Sequence, residues 1–507
     1  MSRAKEISRN TIIFSGGRYI SQFVGIVMGF LVAKYLGPYY LGVWGTVTLV
    51  QKYVPYSTFG IIFAMNREIP FFMAKGEKER VRAIEETTRT FTLAVSILVC
   101  IGILLYSVLN ASHLSVDVLT GMRVIGIAII LQQMNSFYFG YLRARSSFTL
   151  LAIAGVAASV LGLLVFLAFG NQYRINAAYT ASVASSVISL VIVRLGRKNP
   201  LQLRLHRAVI RPLFTLGISL LIYNLAHLIY TTADRWLVLR LLTTEDMGYY
   251  HFVIRAVGAA TMIPTAFSAV LYPRMMEMYG AKGKKEDLRR AVYVSSSLFS
   301  LVSPFVLVSV YCLVQFVVRF YLPEYEPSMS FFAILILGVY CSLSSVGIGN
   351  FLLATNKQNA MTLVLALATV IKVAVGYGLV RAGYGLAGVA VGTVIVYFFM
   401  SVCYITWVFK HFEATNWLVF RRLLRLYTPL PMMLGAHGLS SWLGPVLVPG
   451  TSIVAQLGQT MVQLLGFCAV FGLPAYVLAD RDKHLKPYLD KSWQQLRRNH
   501  EGAIEKI

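Results

Sequence analysis

The chain has 507 residues, 57% of them hydrophobic and only 13% charged, with a formal net charge of +25. A soluble domain carries roughly a quarter charged residues to wet its surface, so this composition excludes an ordinary soluble enzyme and leaves no room for a separate soluble domain. The basic residues are dispersed in short clusters between apolar runs, which argues against a nucleic-acid partner and for loops retained on one side of a membrane.

About 20 apolar residues span the hydrocarbon core as a helix, and such runs recur along the whole chain. The expected fold is an all-α integral membrane protein of about 14 transmembrane helices. The first six spans centre on 10–33, 40–64, 89–110, 117–141, 148–170 and 175–194. The next six centre on 212–238, 249–273, 291–318, 329–354, 360–381 and 385–409, and the last two on 427–447 and 452–478. The basic N-terminal stretch MSRAKEISRN precedes a long apolar run with no small-residue cleavage site, so that run is expected to be a first membrane helix.

Span one carries Gly16, Gly17, Gly25 and Gly29, spaced for close helix contact, and also Arg18 with Gln22 one turn on. Lys52 and Pro55 lie inside span two, and Arg123 with a Gln132-Gln133-Asn135 cluster inside span four. Span seven bears Tyr223, Asn224 and His227, then Asp234-Arg235 near its far end. Arg255 falls in span eight and Lys372 in span eleven; Pro264 and Pro304 predict kinks in spans eight and nine. The five cysteines, Cys100, Cys312, Cys341, Cys403 and Cys468, lie inside apolar runs and read as small buried hydrophobes. Neither Cys/His ligand spacing nor a G-x-x-x-x-G-K-[ST] loop occurs, so no metal, no cofactor and no direct use of ATP are expected.

Charge orients the spans. Connections on one side hold almost single basic residues: Lys34, Arg174, Arg240, Arg319 and Arg381. The other side holds clusters at Arg67–Arg89, Arg143 with Arg145, Arg194–Arg211, Arg274–Arg290 and Arg421–Arg425, and the tail from Arg481. Basic segments stay in the cytoplasm, so these loops and both termini are expected inside, in a cytoplasmic membrane.

An internal repeat accompanies this alternation. Ala74-Lys75-Gly76-Glu77 returns as Ala281-Lys282-Gly283-Lys284, an offset of 207, and Gly42 returns as Gly248 at 206. The offset covers six spans, an even number, so both copies enter the membrane in the same sense. Two parallel six-helix bundles, 1–200 and 201–410, are expected, related by a pseudo-two-fold along the membrane normal. Two additional helices within 411–480 and a basic cytoplasmic tail at 481–507 follow.

Ordered along the chain are Tyr35-Leu36-Gly37-Pro38, Asn66-Arg67-Glu68, Asp234-Arg235, Met247-Gly248-Tyr249-Tyr250, Tyr272-Pro273-Arg274, Leu322-Pro323-Glu324-Tyr325 and Tyr384-Gly385-Leu386-Ala387-Gly388. In that order and spacing the chain resembles the O-antigen and capsule polysaccharide (Wzx-type) flippases of the MOP superfamily, relatives of lipid II flippases and MATE exporters. The resemblance implies a flippase that moves a polyprenyl-pyrophosphate-linked oligosaccharide from the inner to the outer leaflet by alternating access. It implies membrane lipids, and other polysaccharide-assembly membrane proteins, as partners.

Ionisable groups inside a membrane cost about 2.5–3.5 kcal/mol each on insertion scales, so each calls for an account. Arg18, Lys52 and Arg255, with Arg123, Lys372, Asn224 and Gln22, are the candidate lining of a central cationic cavity. Such a lining suits a pyrophosphate, whose oxygens a guanidinium grips in pairs. Asp234, Arg235 and His227 are candidates for ion coupling or for a structural ion pair. Two other readings stay open. A multidrug or cation exporter would favour carboxylates in its cavity; a polytopic glycosyltransferase or polymerase would display catalytic groups on large outer loops. With one interior acid and short outer connections, the expectation is a transporter and not an enzyme.

Overall fold

The computed structural model describes residues 3–196, 202–280, 285–413, 415–450 and 452–480, together with Asp482 and Lys486. Most of the basic tail, and Ala281–Lys284 of the second repeat copy, lie outside the described residues. The described chain is all helical. Eight helices are long and apolar enough to cross a membrane, or nine if one pair bent by 40° counts as a single span. The protein is therefore a multi-pass membrane protein. It divides into two compact units, Met1–Phe252 and Val253–Ile507.

The first unit holds α1 (Arg3–Gln51), α2 (Ile61–Ala74), α3 (Lys78–Leu109), α4 (Val116–Ala144), α5 (Phe148–Leu195) and α6 (Arg207–Leu241), plus the first half of α7 (Thr244–Ala260). Helix α5 is 48 residues, on the order of 70 Å if straight, and a bilayer core is about 30 Å. It solves the excess by breaking at Arg174 (φ 42°, ψ −114°) and folding back. A Cβ on Gly162 would strike Ser185, and one on Gly196 would sit 2.6 Å from Leu150, so the two limbs touch along their length. Helix α1 breaks at Gly37 (φ 69°), a conformation glycine adopts at little steric cost, with Pro38 following.

Contacts give the direction of each limb. Gly17 meets Ala152 and Tyr35 stacks edge-on with Phe166, whereas Trp44, past the break, packs on Tyr179 of the second α5 limb. Val47 and Gly121 adjoin, Gln51 hydrogen-bonds Gln132, and Gln133 donates to the Val54 carbonyl at 3.1 Å. The second limb of α1 thus runs alongside α4. Apolar side chains of α2, α3, α4, α5 and α6 close one core around Phe137, Met65, Ile69 and Ala154.

Repeat-related residues also meet. A Cβ on Gly42 would run into the Thr244 carbonyl oxygen, and one on Gly248 into that of Pro38. Pro38 and Thr244 are 206 residues apart, as are Gly42 and Gly248, so the contact is reciprocal in the manner of an isologous interface. Only glycine lets the two backbones approach so closely.

The second unit continues through α8 (Met262–Gly280), α9 (Lys285–Tyr321), α10 (Ser328–Ser344), α11 (Val346–Ala354), α12 (Gln358–Leu379) and α13 (Gly385–Phe412). It ends with α14 (Asn416–Tyr427), α15 (Pro429–Leu447) and α16 (Ile453–Asp480). Element boundaries echo the first unit: α9 opens 207 residues after α3, and the α12–α13 turn at Gly383 (φ 92°) falls 209 after the break in α5. Gly388 and Gly392 of α13 press on Leu379 and Gly376 of α12, making a second hairpin. Buried Ser295, Ser296, Ser300 and Ser303 let α9 approach its neighbours closely, and Ser295 fills the space a Cβ on Gly347 would need. Helices α15 and α16 pack on α9, through Tyr311 against His437 and Phe305 against Phe467 and Phe471.

Candidate functional site

In the first unit the basic loops gather at one end, held by two buried carboxylates. Arg145 Nε donates to Glu85 Oε1 at 2.6 Å. Glu86 Oε1 accepts from Arg82 Nε at 2.9 Å and from the Gln202 N–H at 3.4 Å, and His206 Nε2 lies 3.1 Å from Oε2. Glu85 and Glu86 are 2% and 3% exposed. Adjacent buried carboxylates persist only when charge-assisted hydrogen bonds replace the lost water, and here Arg82 of α3 itself, the turn after α4 and the segment before α6 supply them. The sequence reading counted only Asp234 as an interior acid and missed this pair. Both sit in the helical start of α3, inside what reads as a solvated loop.

The residues expected to line a cationic cavity fall into two groups. Arg18 is exposed about midway along the first limb of α1, and Lys52 is exposed where the second limb meets the short 3₁₀ turn Val54–Thr58. Arg123 is exposed on α4, its Nε 3.5 Å from Ser107 Oγ, and Arg255 is exposed on α7. Gln22 is half-buried. Lys372 is different: it is 1% exposed, enclosed in the second unit with its ammonium 5.8 Å from the Tyr397 ring.

Residues beside Lys52 form a polar line with α6. Tyr53 and Thr232 hydroxyls are 2.6 Å apart, and Trp236 Nε1 donates to Tyr53 Oη at 2.9 Å. Tyr56 Oη donates to the Asn224 carbonyl at 3.3 Å, and exposed His227 lies between the rings of Tyr223 and Tyr230. Asp234 is buried and accepts the Tyr250 hydroxyl at 2.7 Å and the Arg235 N–H at 2.9 Å. Arg235 is also buried, with no hydrogen-bond partner for its Nε among the described residues.

The second unit repeats the buried-acid device. Glu413 accepts the Tyr293 hydroxyl at 2.5 Å and lies within 3.7 Å of Arg289 and 3.6 Å of Arg422. Asp482 accepts from Ser297 at 3.1 Å, with Arg425 at 3.9 Å. Arg422 and Arg425 belong to α14, whose Trp417, Phe420 and Leu424 stay exposed along one stripe. That i, i+3, i+7 spacing was the available sequence signal for an interfacial helix. Among the described residues, no group of three or more His, Cys, Asp or Glu could hold a metal.

Helical hairpins, buried small-residue contacts and cations exposed on long apolar helices characterise the described fold. Solved structures share it. An inward-closed lipid II flippase MurJ aligns with a TM-score of 0.67 at 14% identity, over 92% of this chain and 99% of that one. An inward-facing MATE multidrug-resistance transporter of the MOP superfamily aligns at 0.64 and 16% identity, over 77% and 94%. An outward-facing MATE transporter of that superfamily aligns at 0.57 and 16%, over 80% and 95%. No curated protein matches the chain in sequence. The sequence pattern of the family described as "Polysaccharide biosynthesis protein" matches residues 7–279, more than half of the chain, and the chain belongs to that family.

Proposed function

We propose that this protein flips a polyprenyl-pyrophosphate-linked oligosaccharide from the inner to the outer leaflet of a cytoplasmic membrane. The carrying observation is a charge asymmetry among described residues of the spans. Arg18, Lys52, Arg123 and Arg255 are exposed, whereas Glu85, Glu86 and Asp234 are buried and hydrogen-bonded. A ligand that reaches these four side chains meets positive charge. That favours a pyrophosphate and disfavours the cationic cargo of a drug exporter. Family membership supplies the polysaccharide context.

On this reading Arg18, Lys52 and Arg255 engage the pyrophosphate, Arg123, Gln22 and Asn224 contribute polar contacts, and the saccharide replaces its lost water with protein hydrogen bonds. His227, Asp234 and Arg235 serve coupling or local structure, and Lys372 acts from within its bundle. Fourteen crossings result when each limb of α1, α5 and the α12–α13 hairpin is counted, with α7–α8 and α15 as further spans. The basic ends then face the cytoplasm, together with both termini. The two bundles 1–200 and 201–410 are the repeat copies, with 411–480 and the 481–507 tail appended.

The test is reconstitution into vesicles containing a fluorescent lipid-linked glycan. Wild type should expose the glycan to an outside probe, and Arg18→Ala should slow this about tenfold, the worth of one charge-assisted hydrogen bond. Export of cationic dyes with the glycan lipid left in place would replace this reading by the drug-exporter one.

A further inference from the structure

At the end of the first unit opposite the basic loops, the break in α5, the first turn of α4 and the start of the second α1 limb enclose a cleft of about 300 Å³. This is the lower end of small-molecule sites, room for one sugar ring and little more. Tyr40, Asp117, Gln172, Tyr173, Asn176 and Tyr179 are among its walls, with Arg174 at the mouth. Gln172, Tyr173, Arg174 and Asn176 are exposed at the rim, while Asp117 and Tyr40 are half-buried deeper in.

Two observations point to a ligand. Tyr179 is 2% exposed, yet its hydroxyl has no hydrogen-bond partner among the described residues. A buried unsatisfied hydroxyl costs about 1–3 kcal/mol, so its persistence wants an explanation. The backbone of Arg174 is held at φ 42°, in a region L-residues rarely occupy, which sets its side chain at the cleft mouth.

The chemistry of the walls narrows the ligand class. Asp117 disfavours an anion and Arg174 a cation, so no net charge is selected. The Tyr39 hydroxyl already donates to Asp117 Oδ2 at 3.3 Å, so an apolar ligand would leave the Tyr179 hydroxyl unpaired and one carboxylate oxygen of Asp117 without a donor from the ligand. A ligand hydroxyl can do what neither protein group can do alone: accept from Tyr179 and donate to Asp117. Amides at Gln172 and Asn176 and a guanidinium at Arg174 offer further donors to neighbouring hydroxyls, and tyrosine faces suit the C–H side of a ring.

We propose that this cleft binds a single neutral sugar residue, and, resting on the flippase reading above, that it is an extracytoplasmic subsite for the glycan as it leaves. Its test needs no translocation. Protein in nanodiscs is mixed with free methyl pyranosides at millimolar concentration, and saturation-transfer NMR reads magnetisation passed to the sugar. Wild type should give transfer to ring protons of at least one pyranoside. Tyr179→Phe should weaken apparent affinity about fivefold, the worth of one neutral hydrogen bond, with the unfolding midpoint unchanged because the lost hydroxyl had no protein partner. Asp117→Asn should weaken it as well. Absence of transfer from every pyranoside, the result for a cleft holding water only, overturns the subsite, as does equal transfer by wild type and both variants. Glycan flipping in vesicles without sugar binding here would sink the subsite and leave the flippase reading standing; sugar binding without flipping would do the reverse.

Discussion

The two ends of the first unit solve the same problem, polar groups at the margin of an apolar bundle, in opposite ways. At the basic end the buried carboxylates Glu85 and Glu86 are matched by Arg145, Arg82, His206 and a backbone N–H. At the other end backbones cross at Gly42 and Gly248 with no room for a side chain, and Tyr179, at the wall of a cleft, keeps a hydroxyl without a partner among the described residues. Saturated electrostatics tie distant segments together and leave little to offer a ligand. Steric closure fixes the backbone without using any polar side chain, and so leaves its polar neighbours free to act.

The largest effect is expected at the saturated end. Glu86→Ala strips a carboxylate from Arg82, His206 and the Gln202 N–H, two of them charged or chargeable. The two side chains left behind are partly solvated, so the loss is that of three hydrogen bonds to one buried carboxylate, about 3 kcal/mol in all, read as a fall in unfolding midpoint in mixed micelles. Asp117→Asn at the other end should change stability by no more than about 0.5 kcal/mol, since its site is half-open. Equal losses at both positions would erase the contrast.

The crossing comes next. Gly248→Ala forces a methyl toward the Pro38 carbonyl and Gly42→Ala toward that of Thr244, backbone atoms that cannot swing aside. Each should cost about 2 kcal/mol, the range for overpacked contacts. Because the contacts are reciprocal, the two losses should agree to within about 0.5 kcal/mol. A large loss at one glycine and none at the other would show the reciprocity to be accidental.

Sequence reasoning reached one end of this comparison better than the other. Apolar run length and the alternation of basic loops were open to view because hydropathy and charge act over local windows, and the break positions near 37, 174 and 383 were read as short turns between spans. The position of a cation along its helix was legible; whether its side chain is exposed or enclosed was not. Arg18 and Lys372 both read as mid-membrane cations, yet one is exposed and the other enclosed beside Tyr397. That difference depends on which helix packs where, a property of segments distant in the chain. Glu85 and Glu86 were missed for the same reason: of the four partners named above, three come from residues 145, 202 and 206. The amphipathic α14 was missed although its stripe of Trp417, Phe420 and Leu424 was visible, because the arginines between them read as a plain basic loop.

The smallest effect is also the one with an unusual sign. Arg174 stands at φ 42°, ψ −114°, where a Cβ is strained; such conformations cost on the order of 1–3 kcal/mol. Glycine relieves that strain but adds freedom to the unfolded chain, worth about 0.5–1 kcal/mol against it. Arg174→Gly should therefore stabilise the protein by about 1 kcal/mol. The same change removes the guanidinium at the mouth of the cleft, so sugar affinity should fall while stability rises. A residue whose only task was to turn the hairpin would move stability alone, and one that only packed would lower it. Arg174→Asn separates the two effects further, since asparagine tolerates positive φ better than most residues and keeps a hydrogen-bonding side chain. It should retain part of the stabilisation and part of the sugar binding. If Arg174→Gly instead unfolds more readily than wild type and binds the pyranosides equally well, the strained turn is a packing requirement and the contrast between the two ends is lost.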